Sequence, residues 1–300
     1  MLKYLSVIKM KDNYLVKAYC MHETVRIYAA ITTGIVKHNQ KIFNLYPTSC
    51  AALGRTLTMG AIMSCTYKND DTLNIYVKGD GPIGKITIEA TNGNVRGYCE
   101  NPGVLLIGKD GKQDLSFGVG NGEITVVKDL HLRQPFSGSS EIISGEIAKD
   151  FTYYFTKSEQ IPSAVGLSEV FDDDEAATIK AAGGFLVQVM PGCKEEDLLK
   201  LEDRLSKMKP LSEMLKEGYT ALEIINEITD GDYIELEERE LTSNCKCSKE
   251  RFSRGLLTLK KSDLLEILEQ DHKALITCNF CNKQYTFTED DLKELIDAKN

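Results

Sequence analysis

Two pairs of closely spaced cysteines near the C-terminus place the strongest constraint on how this chain can fold. The first pair reads C-x-C, at Cys245 and Cys247, and the second reads C-x-x-C, at Cys278 and Cys281. The last ~60 residues, which contain both pairs, are too few to bury a large apolar core, and modules of this size usually need a cross-link. The pairs therefore indicate a disulfide framework, a structural zinc site or a redox device.

Four thiolates in two close pairs match the ligand set of a tetrahedral zinc site. Four protein ligands also close the coordination sphere, so no position is left for a catalytic water and we expect no hydrolytic chemistry. The single residue between Cys245 and Cys247 departs from the C-x-x-C spacing usual in zinc ribbons. A disulfide within such a short spacing closes a strained ring that is easily reduced, which suits a reversible switch.

Cationic residues surround the two cysteine pairs in the sequence. Positive charge nearby favours the thiolate over the thiol, and thiolate or metal-bound sulfur is the form that oxidants attack. These features favour a zinc site that is also sensitive to oxidation. The cations are Lys246, Lys249, Arg251, Arg254 and Lys283.

Charge and hydropathy restrict the partners and the location of the chain. Of the 300 residues, 42% are hydrophobic and 27% are charged, and the net charge is −9. This balance argues against nucleic-acid and membrane partners, which usually require a basic face. Lysines interrupt every apolar run near the N-terminus, so we expect neither a signal peptide nor a membrane span, and hence a cytoplasmic protein. These lysines are Lys3, Lys9, Lys11 and Lys17.

The other five of the nine cysteines stand alone in apolar surroundings. Permanent disulfides are not expected in a reducing cytoplasm. A free cysteine usually behaves as a small buried hydrophobe, and we predict that role here. The five are Cys20, Cys50, Cys65, Cys99 and Cys193.

The first ~180 residues show the pattern of a mixed α/β domain with an antiparallel sheet. The runs YLVKAYC and TVRIYAAI flank the polar MHE and predict a β-hairpin. The runs TLNIYVK, KITIEA and NVRGYCE predict a meander with a turn at Asn92–Gly93. The stretch from Pro47 to Cys65 predicts a buried helix, and SGEIAKDFTYYFTKSEQ predicts a second helix, with Ile147 on its apolar face. GEITVVKDL and GGFLVQVMPG predict further strands.

After Gly192 the sequence becomes helix-forming and heavily charged. Pro210 divides this segment into at least two helices. The apolar face of the first helix is narrow, which predicts marginal stability, because short helices depend on packing. That face consists of Leu198, Leu201, Leu205 and Met208.

The glycine-rich loops carry no nucleotide-binding signal. Gly79, Gly81 and Gly84 satisfy G-x-G-x-x-G, but a strand follows where the dinucleotide fingerprint needs a helix N-terminus. We therefore predict a hairpin loop. The chain also lacks G-x-x-x-x-G-K-[ST], so the sequence offers no support for ATP-driven action.

Loss of zinc predicts a specific physical outcome. Structural zinc contributes about 10–16 kcal/mol to the folding of a small metal module. Oxidation of the four sulfurs would remove all ligands at once, and the module should unfold. The marginal helices before it would then loosen and expose apolar surface, which binds the apolar surface of unfolding proteins.

The chain closely resembles the heat-shock protein 33 family of redox-regulated chaperones over nearly its whole length. The matching stretches are GDGPIGKI, GNVRGYCENP, PFSGSSEIISGEIAKDFTYYFTKSEQIPSAV, AAGGFLVQVMPG, CKCSKERF and CNFCNKQYTF. The resemblance implies an α+β fold in three parts: an N-terminal substrate-binding domain at 1–180, a helical linker at 181–240 and a zinc-binding redox-switch domain at 241–300.

The resemblance also implies a function and its residues. Cys245, Cys247, Cys278 and Cys281 would hold one Zn²⁺ in a reduced, inactive form. Oxidation would release zinc, form the disulfides Cys245–Cys247 and Cys278–Cys281, and favour a homodimer. The active form would be an ATP-independent holdase that binds unfolding or oxidatively damaged clients in the stress response, and it would not be an enzyme.

Two other functions stay open at this point. A nucleic-acid-binding zinc ribbon is supported by the basic residues beside Cys247 and opposed by the acidic total. A thiol oxidoreductase would use Cys278 and Cys281, but the βαβ setting of such enzymes is not apparent around them.

Overall fold

The computed structural model describes residues 12–67, 71–109, 111, 113–172 and 177–299. Three of the N-terminal lysines that support the expected absence of a signal peptide, Lys3, Lys9 and Lys11, lie outside the described residues. The chain divides into two compact units, Met1–Ser243 and Asn244–Asn300. No helix in the described ranges has the length and apolar character needed to cross a membrane.

The described part of the first unit contains ten strands in two antiparallel sheets. In chain order the strands are β1 Tyr14–Cys20, β2 Val25–Ile31, β3 Thr72–Gly79, β4 Lys85–Thr91, β5 Asn94–Cys99, β6 Gly122–Asp129, β7 Phe136–Glu141, β8 Ser163–Phe171, β9 Ile179–Val189 and β10 Ile234–Glu240. The first sheet has the order β10-β1-β2-β9-β8, and the second has the order β5-β4-β3-β6-β7.

Seven helices accompany these strands in the described residues of the first unit. They are α1 Thr33–Phe43, α2 Pro47–Ser64, α3 Leu115–Val119, α4 Ala148–Tyr154, α5 Glu195–Lys207, α6 Leu211–Glu217 and α7 Ala221–Thr229. A π-helical turn, Phe155–Glu159, continues α4.

Helix α2 is the centre of the main core. It contacts β4 and β5 of one sheet and β8 and β9 of the other, and nearly all of its side chains are buried. A helix that is apolar on every side, as the Ala-, Leu- and Met-rich sequence predicts, is stable only when it is covered on every side. The α+β fold class with antiparallel sheets is thus confirmed.

The predicted local elements are largely confirmed. The first hairpin is β1–β2, the meander is β3–β4–β5, and its turn has positive φ at Asn92 and Gly93, as a tight hairpin turn requires. The loop Gly79–Gly84 connects β3 to β4 and is therefore a hairpin loop. The helix predicted to include Ile147 begins one residue later, because Ile147 has a φ of +63° and is its N-cap.

Helices α5, α6 and α7 cover one face of the first sheet with a second apolar layer. Ala18, Ile27 and Val187 of the sheet are buried in the same cluster as Met214 and Ile224 of the helices. Helix α5 contributes only one fully buried residue, Leu201, and α6 and α7 have only seven and nine residues. The narrow apolar face predicted for α5 is confirmed. The predicted division at Pro210 is also confirmed, because α5 ends at Lys207 and Pro210 is the N-cap of α6.

The segment 181–240, predicted as a helical linker, begins inside β9 and ends in β10. Both strands are hydrogen-bonded into the first sheet. The division at 180 and 240 stays a prediction about how parts of the chain act, while the two compact units meet at residues 243 and 244.

The second unit is small and contains three helices and one hairpin among its described residues. These are α8 Lys249–Leu256, α9 Lys261–Asp271, β11 Ala274–Thr277, β12 Gln284–Phe287 and α10 Glu289–Asp297. Its apolar cluster has only six buried members among the described residues: Leu256, Leu264, Phe287, Leu292, Leu295 and Ile296. A core of this size rarely holds a fold without a further cross-link.

Candidate metal centre

The first cysteine pair lies on an extended segment that leads into α8. Ser248, directly after Cys247, is the N-cap of that helix, and its hydroxyl accepts a hydrogen bond from the backbone N–H of Arg251 at 3.2 Å. A serine in this position satisfies a donor that the first helical turn would leave unpaired. The cap thus fixes where the chain turns immediately after the second sulfur ligand.

The second cysteine pair lies in the turn that joins β11 to β12. The backbone N–H of Cys278 donates to the carbonyl of Lys283 at 2.9 Å, and the N–H groups of Cys281 and Asn282 donate to the carbonyl of Cys278. Asn282 has a φ of +58°, a left-handed conformation that asparagine tolerates. The tight turn directs both cysteines of C-x-x-C to the same side of the hairpin.

The structure brings all four predicted cysteines together. Their sulfur atoms all lie within 4.8 Å of one another. The Sγ atoms of Cys245 and Cys278 are 3.7 Å apart, and those of Cys247 and Cys281 are 3.3 Å apart. Ligands about 2.3 Å from a tetrahedral zinc ion would be about 3.8 Å from one another. The donor type and the spacing therefore fit a metal ion held by four thiolates.

The short sulfur contacts join one pair to the other. Cys245 meets Cys278, and Cys247 meets Cys281, so each contact connects the segment before α8 to the β11–β12 turn. None of the four forms a disulfide, and Cys278 is the most buried of them. A metal ion bound here would hold two segments together that are about thirty residues apart in the chain.

Tyr285 in β12 adds a polar contact to this cluster. Its hydroxyl lies 3.2 Å from Cys247 Sγ and donates to the Cys247 carbonyl at 3.0 Å. The ring packs against Phe252 of α8 with 5.2 Å between centroids. This hydrogen-bonding and packing partner was missed at the level of sequence, where only the alternation of β12 hinted that Tyr285 faces the cysteines.

The thiols differ in acidity. Burial would raise the pKa of Cys247, but hydrogen bonds from Tyr285 and from the other three thiols outweigh burial and lower its pKa to about 7. Burial raises the pKa of Cys281 to about 12 and also raises the pKa of Cys278. The hydrogen bond with Cys247 raises the pKa of Tyr285 to about 12. The contacts of Cys247 with Tyr285 and the other sulfurs thus favour its thiolate form.

The cations near the cysteines act differently from the expectation drawn from sequence. The main influences on the pKa of Cys247 are burial and hydrogen bonds rather than lysine or arginine charges. Lys249 instead forms an ion pair with Asp291 at 2.7 Å, which joins α8 to the start of α10. At this position the positive charge serves the packing of the unit.

A family model described as Hsp33 protein matches residues 13–288. The chain belongs to the Hsp33 family. A relative from Bacillus subtilis (strain 168), named 33 kDa chaperonin, is 43% identical over 288 residues, which cover 95% of this chain and 98% of the relative. A protein of the same name from Staphylococcus aureus (strain JH9) is 41% identical and covers 96% of this chain.

A solved structure supports the same assignment. The crystal structure of a 33 kDa chaperonin from Thermotoga maritima, described as a heat shock protein 33 homolog, superimposes with a TM-score of 0.89 at 30% identity. The match covers 96% of this chain and 99% of that one. The Hsp33 fold therefore includes both units of the chain.

The remaining five cysteines of this Hsp33 family member belong to the first unit, and the four-sulfur cluster belongs to the second. Cys20, Cys50, Cys65 and Cys99 are buried, as predicted for small apolar residues. Cys193 is half-buried at the start of the α5 segment, so its predicted burial is only partial.

Proposed function

We propose that this chain is a redox-regulated, ATP-independent holdase chaperone whose switch is the four-cysteine cluster of the second unit. Membership of the Hsp33 family supports a chaperone role. The observation that carries the redox control is the meeting of four thiol sulfurs within 4.8 Å, in a unit whose apolar cluster has only six buried members among the described residues. Such a unit depends on its cross-link more than on its core.

In the reduced form, Cys245, Cys247, Cys278 and Cys281 hold one Zn²⁺. A set of four thiolates suits this ion, and the sulfur spacing matches its tetrahedral geometry. Bound zinc supplies the cross-link between the segment before α8 and the β11–β12 turn. Because the four residues complete the coordination, the site has no catalytic position and the protein is not an enzyme.

Oxidation converts the same sulfurs into two disulfides, Cys245–Cys247 and Cys278–Cys281. A peroxide oxidises one thiol of a pair to a sulfenic acid with loss of water or alcohol. The second thiol of the pair then attacks that sulfur, the S–S bond forms and water leaves. Each disulfide thus delivers two electrons to one peroxide. Sulfur in a disulfide is no longer a thiolate ligand, so the cluster loses its hold on the metal.

The bonds that form and the contacts that break belong to different pairs of residues. The proposed disulfides lie within C-x-C and within C-x-x-C, whereas the short sulfur contacts, Cys245 to Cys278 and Cys247 to Cys281, run between the two motifs. Oxidation therefore removes the connection between the two segments, and the second unit unfolds.

The surface that binds clients is the apolar face of the first sheet beneath α5, α6 and α7. That face includes Val16, Ile27 and Val187, which the three helices now cover. The helices are short, and α5 is largely exposed, so their attachment is weak enough to be lost under mild unfolding stress. Unfolding clients offer the complementary apolar surface, and two activated copies associate as a homodimer in the cytoplasm.

The experiment compares suppression of client aggregation by the reduced, zinc-loaded protein and by the same protein after peroxide and mild heat, without ATP. We expect little suppression before oxidation and strong suppression after it, reversed by dithiothreitol. In the variant C281S, suppression of aggregation should no longer depend on oxidation. In C193S, which changes a cysteine outside the cluster, suppression should still depend on oxidation. Equal suppression by both redox forms of the unmodified protein would refute the proposal.

A further inference from the structure

A surface cleft of about 810 Å³ lies in the first unit, far along the sequence from the four cysteines. It forms between the C-terminal half of α1, the start of α2 and the loop that follows β5. Its volume is within the range of sites that bind small molecules. Neither the holdase activity nor the redox switch proposed for this chain uses it.

One part of the lining is cationic. Lys37, Gln40 and Lys41 lie on the same face of α1, because residues three and four apart are neighbours on a helix. The side chain of Gln40 is fixed at both ends, since it donates to the carbonyl of Ala177 at 3.1 Å and accepts from the N–H of Ile179 at 3.0 Å. Both lysines are exposed, and no ion pair joins either of them to another described residue.

The other part of the lining is apolar and open to solvent. Tyr46, Leu105 and Ile107 are 53%, 51% and 57% exposed, although each is a large hydrophobic residue. Buried Leu45 lies next to Tyr46 and also lines the cleft. Scattered exposed apolar residues are ordinary, but several of them around one concave site mark a place where apolar surface is covered by a ligand.

Hydrogen bonds hold the backbone that carries these exposed side chains. The N–H of Leu106 donates to the hydroxyl of Thr48 at 2.8 Å, and that hydroxyl donates to the Leu106 carbonyl at 3.2 Å. The N–H of Tyr46 donates to the carbonyl of Pro102 at 2.9 Å. Residue 106 is thereby tied to α2, and its two neighbours, Leu105 and Ile107, remain in the lining. A site that is formed before binding loses less entropy when a ligand arrives.

We propose that this cleft binds a monomeric single-chain amphiphile with an anionic head group, such as a long-chain carboxylate. The alkyl chain covers Tyr46, Leu105 and Ile107, and the head group pairs with Lys37 and Lys41. Charge selects this class, because a cationic head group is repelled by the two lysines and a neutral one gains no ion pair. Among the described residues that line the cleft, these two lysines are the only charged ones.

The test uses the full-length reduced protein and three probes with the same twelve-carbon chain: dodecanoate, dodecanol and dodecyltrimethylammonium. Dodecanoate and dodecyltrimethylammonium are titrated below their critical micelle concentrations and dodecanol below its solubility limit, and binding is followed by calorimetry and by NMR of the protein. We expect saturable binding of one dodecanoate, weaker binding of dodecanol and the weakest binding of the cation. Equal affinity for all three probes, or binding without saturation, would overturn the proposal.

Variants locate the binding in the cleft. K37Q/K41Q should weaken dodecanoate binding about three- to thirtyfold, as expected for the loss of two exposed ion pairs, and should leave dodecanol binding unchanged. L105S/I107S should weaken the binding of both probes more than tenfold. The matched control K78Q/K216Q removes the same charge from exposed lysines outside the cleft and should have no effect. A control variant that lowers affinity as much as K37Q/K41Q would place the ligand elsewhere and contradict the inference.

Discussion

The hydroxyl oxygen of Tyr285 lies 3.2 Å from the sulfur of Cys247 and 3.0 Å from the Cys247 carbonyl oxygen. One side chain of β12 therefore holds both the sulfur and the backbone of a residue before α8. The contact lowers the pKa of Cys247, and it links the two segments that carry the two cysteine pairs. Metal sites depend on such second contacts, because they orient the ligand and tune its basicity.

Removal of this hydroxyl tests its role. We expect Y285F to lower zinc affinity about tenfold, since loss of a hydrogen bond to a metal ligand typically costs about ten- to a hundredfold. Phenylalanine keeps the ring against Phe252, so the packing survives. Competition with a chromophoric chelator measures the affinity, and Y153F, in α4 of the first unit, is the matched control. An unchanged affinity in Y285F would show that the contact has no part in metal binding.

Loss of one ligand should unfold the second unit alone. In C278S a serine replaces a thiolate ligand, and zinc binding supplies about 10–16 kcal/mol to the folding of such modules. We expect residues 244–300 to become sensitive to protease while the first unit remains resistant. C193S should behave like the unmodified protein. A second unit that stays protected in C278S would mean that its six-residue core is sufficient.

The attachment of α7 can be weakened without any change at the cysteines. Ile224 is fully buried between α7 and the first sheet, and I224A should cost about 2–5 kcal/mol. We expect faster amide exchange in residues 221–229 and measurable suppression of client aggregation in the reduced, zinc-loaded state. E227A, on the exposed side of the same helix, is the control. If I224A loosens α7 without any gain in suppression, the client surface lies elsewhere.

The buried cysteines of the first unit should react slowly with alkylating agents. Burial raises the pKa of Cys20 to about 11 and that of Cys99 to about 12. Only the thiolate reacts, so their alkylation rates should rise about tenfold per pH unit between pH 7 and 10. At pH 8 we expect half-buried Cys193 to be modified before the buried cysteines of the first unit, as mass spectrometry of the labelled peptides would reveal. Comparable rates for Cys20, Cys99 and Cys193 would contradict this ranking.

The same pKa shifts make the first unit less stable in alkali. Above pH 9 the unfolded chain releases the protons of Cys20 and Cys99 at the ordinary thiol value, whereas the folded chain retains them until pH 11 to 12. The unfolded state then binds fewer protons, so the free energy of unfolding decreases as pH rises through this range.

Local patterns carried most of what the sequence could predict. Alternating apolar residues gave the β1–β2 hairpin and the β3–β4–β5 meander, because each strand pairs with its neighbour in the chain. The spacing of Cys245, Cys247, Cys278 and Cys281 predicted a four-sulfur cluster for a similar reason: the two cysteines of each pair are close neighbours in the chain.

Features that depend on distant partners could not be predicted. Strand β10 is rich in glutamate, a residue that is uncommon in strands. It is extended because it pairs with β1, which lies more than 200 residues earlier in the chain. The sequence position of Lys249 suggested that its charge stabilises the thiolates, whereas in the structure it forms an ion pair with Asp291. The role of Tyr285 likewise requires the hairpin and α8 to meet in space.

In the proposed switch, the same four sulfurs bind the metal and form the two disulfides. One oxidation experiment tests it most directly: zinc release, free thiol count and aggregation suppression are recorded together over time. We predict that loss of four thiols, release of one zinc ion and the gain of suppression rise together, and that dithiothreitol and zinc reverse all three. Full suppression while zinc remains bound and all four thiols remain free would contradict the account.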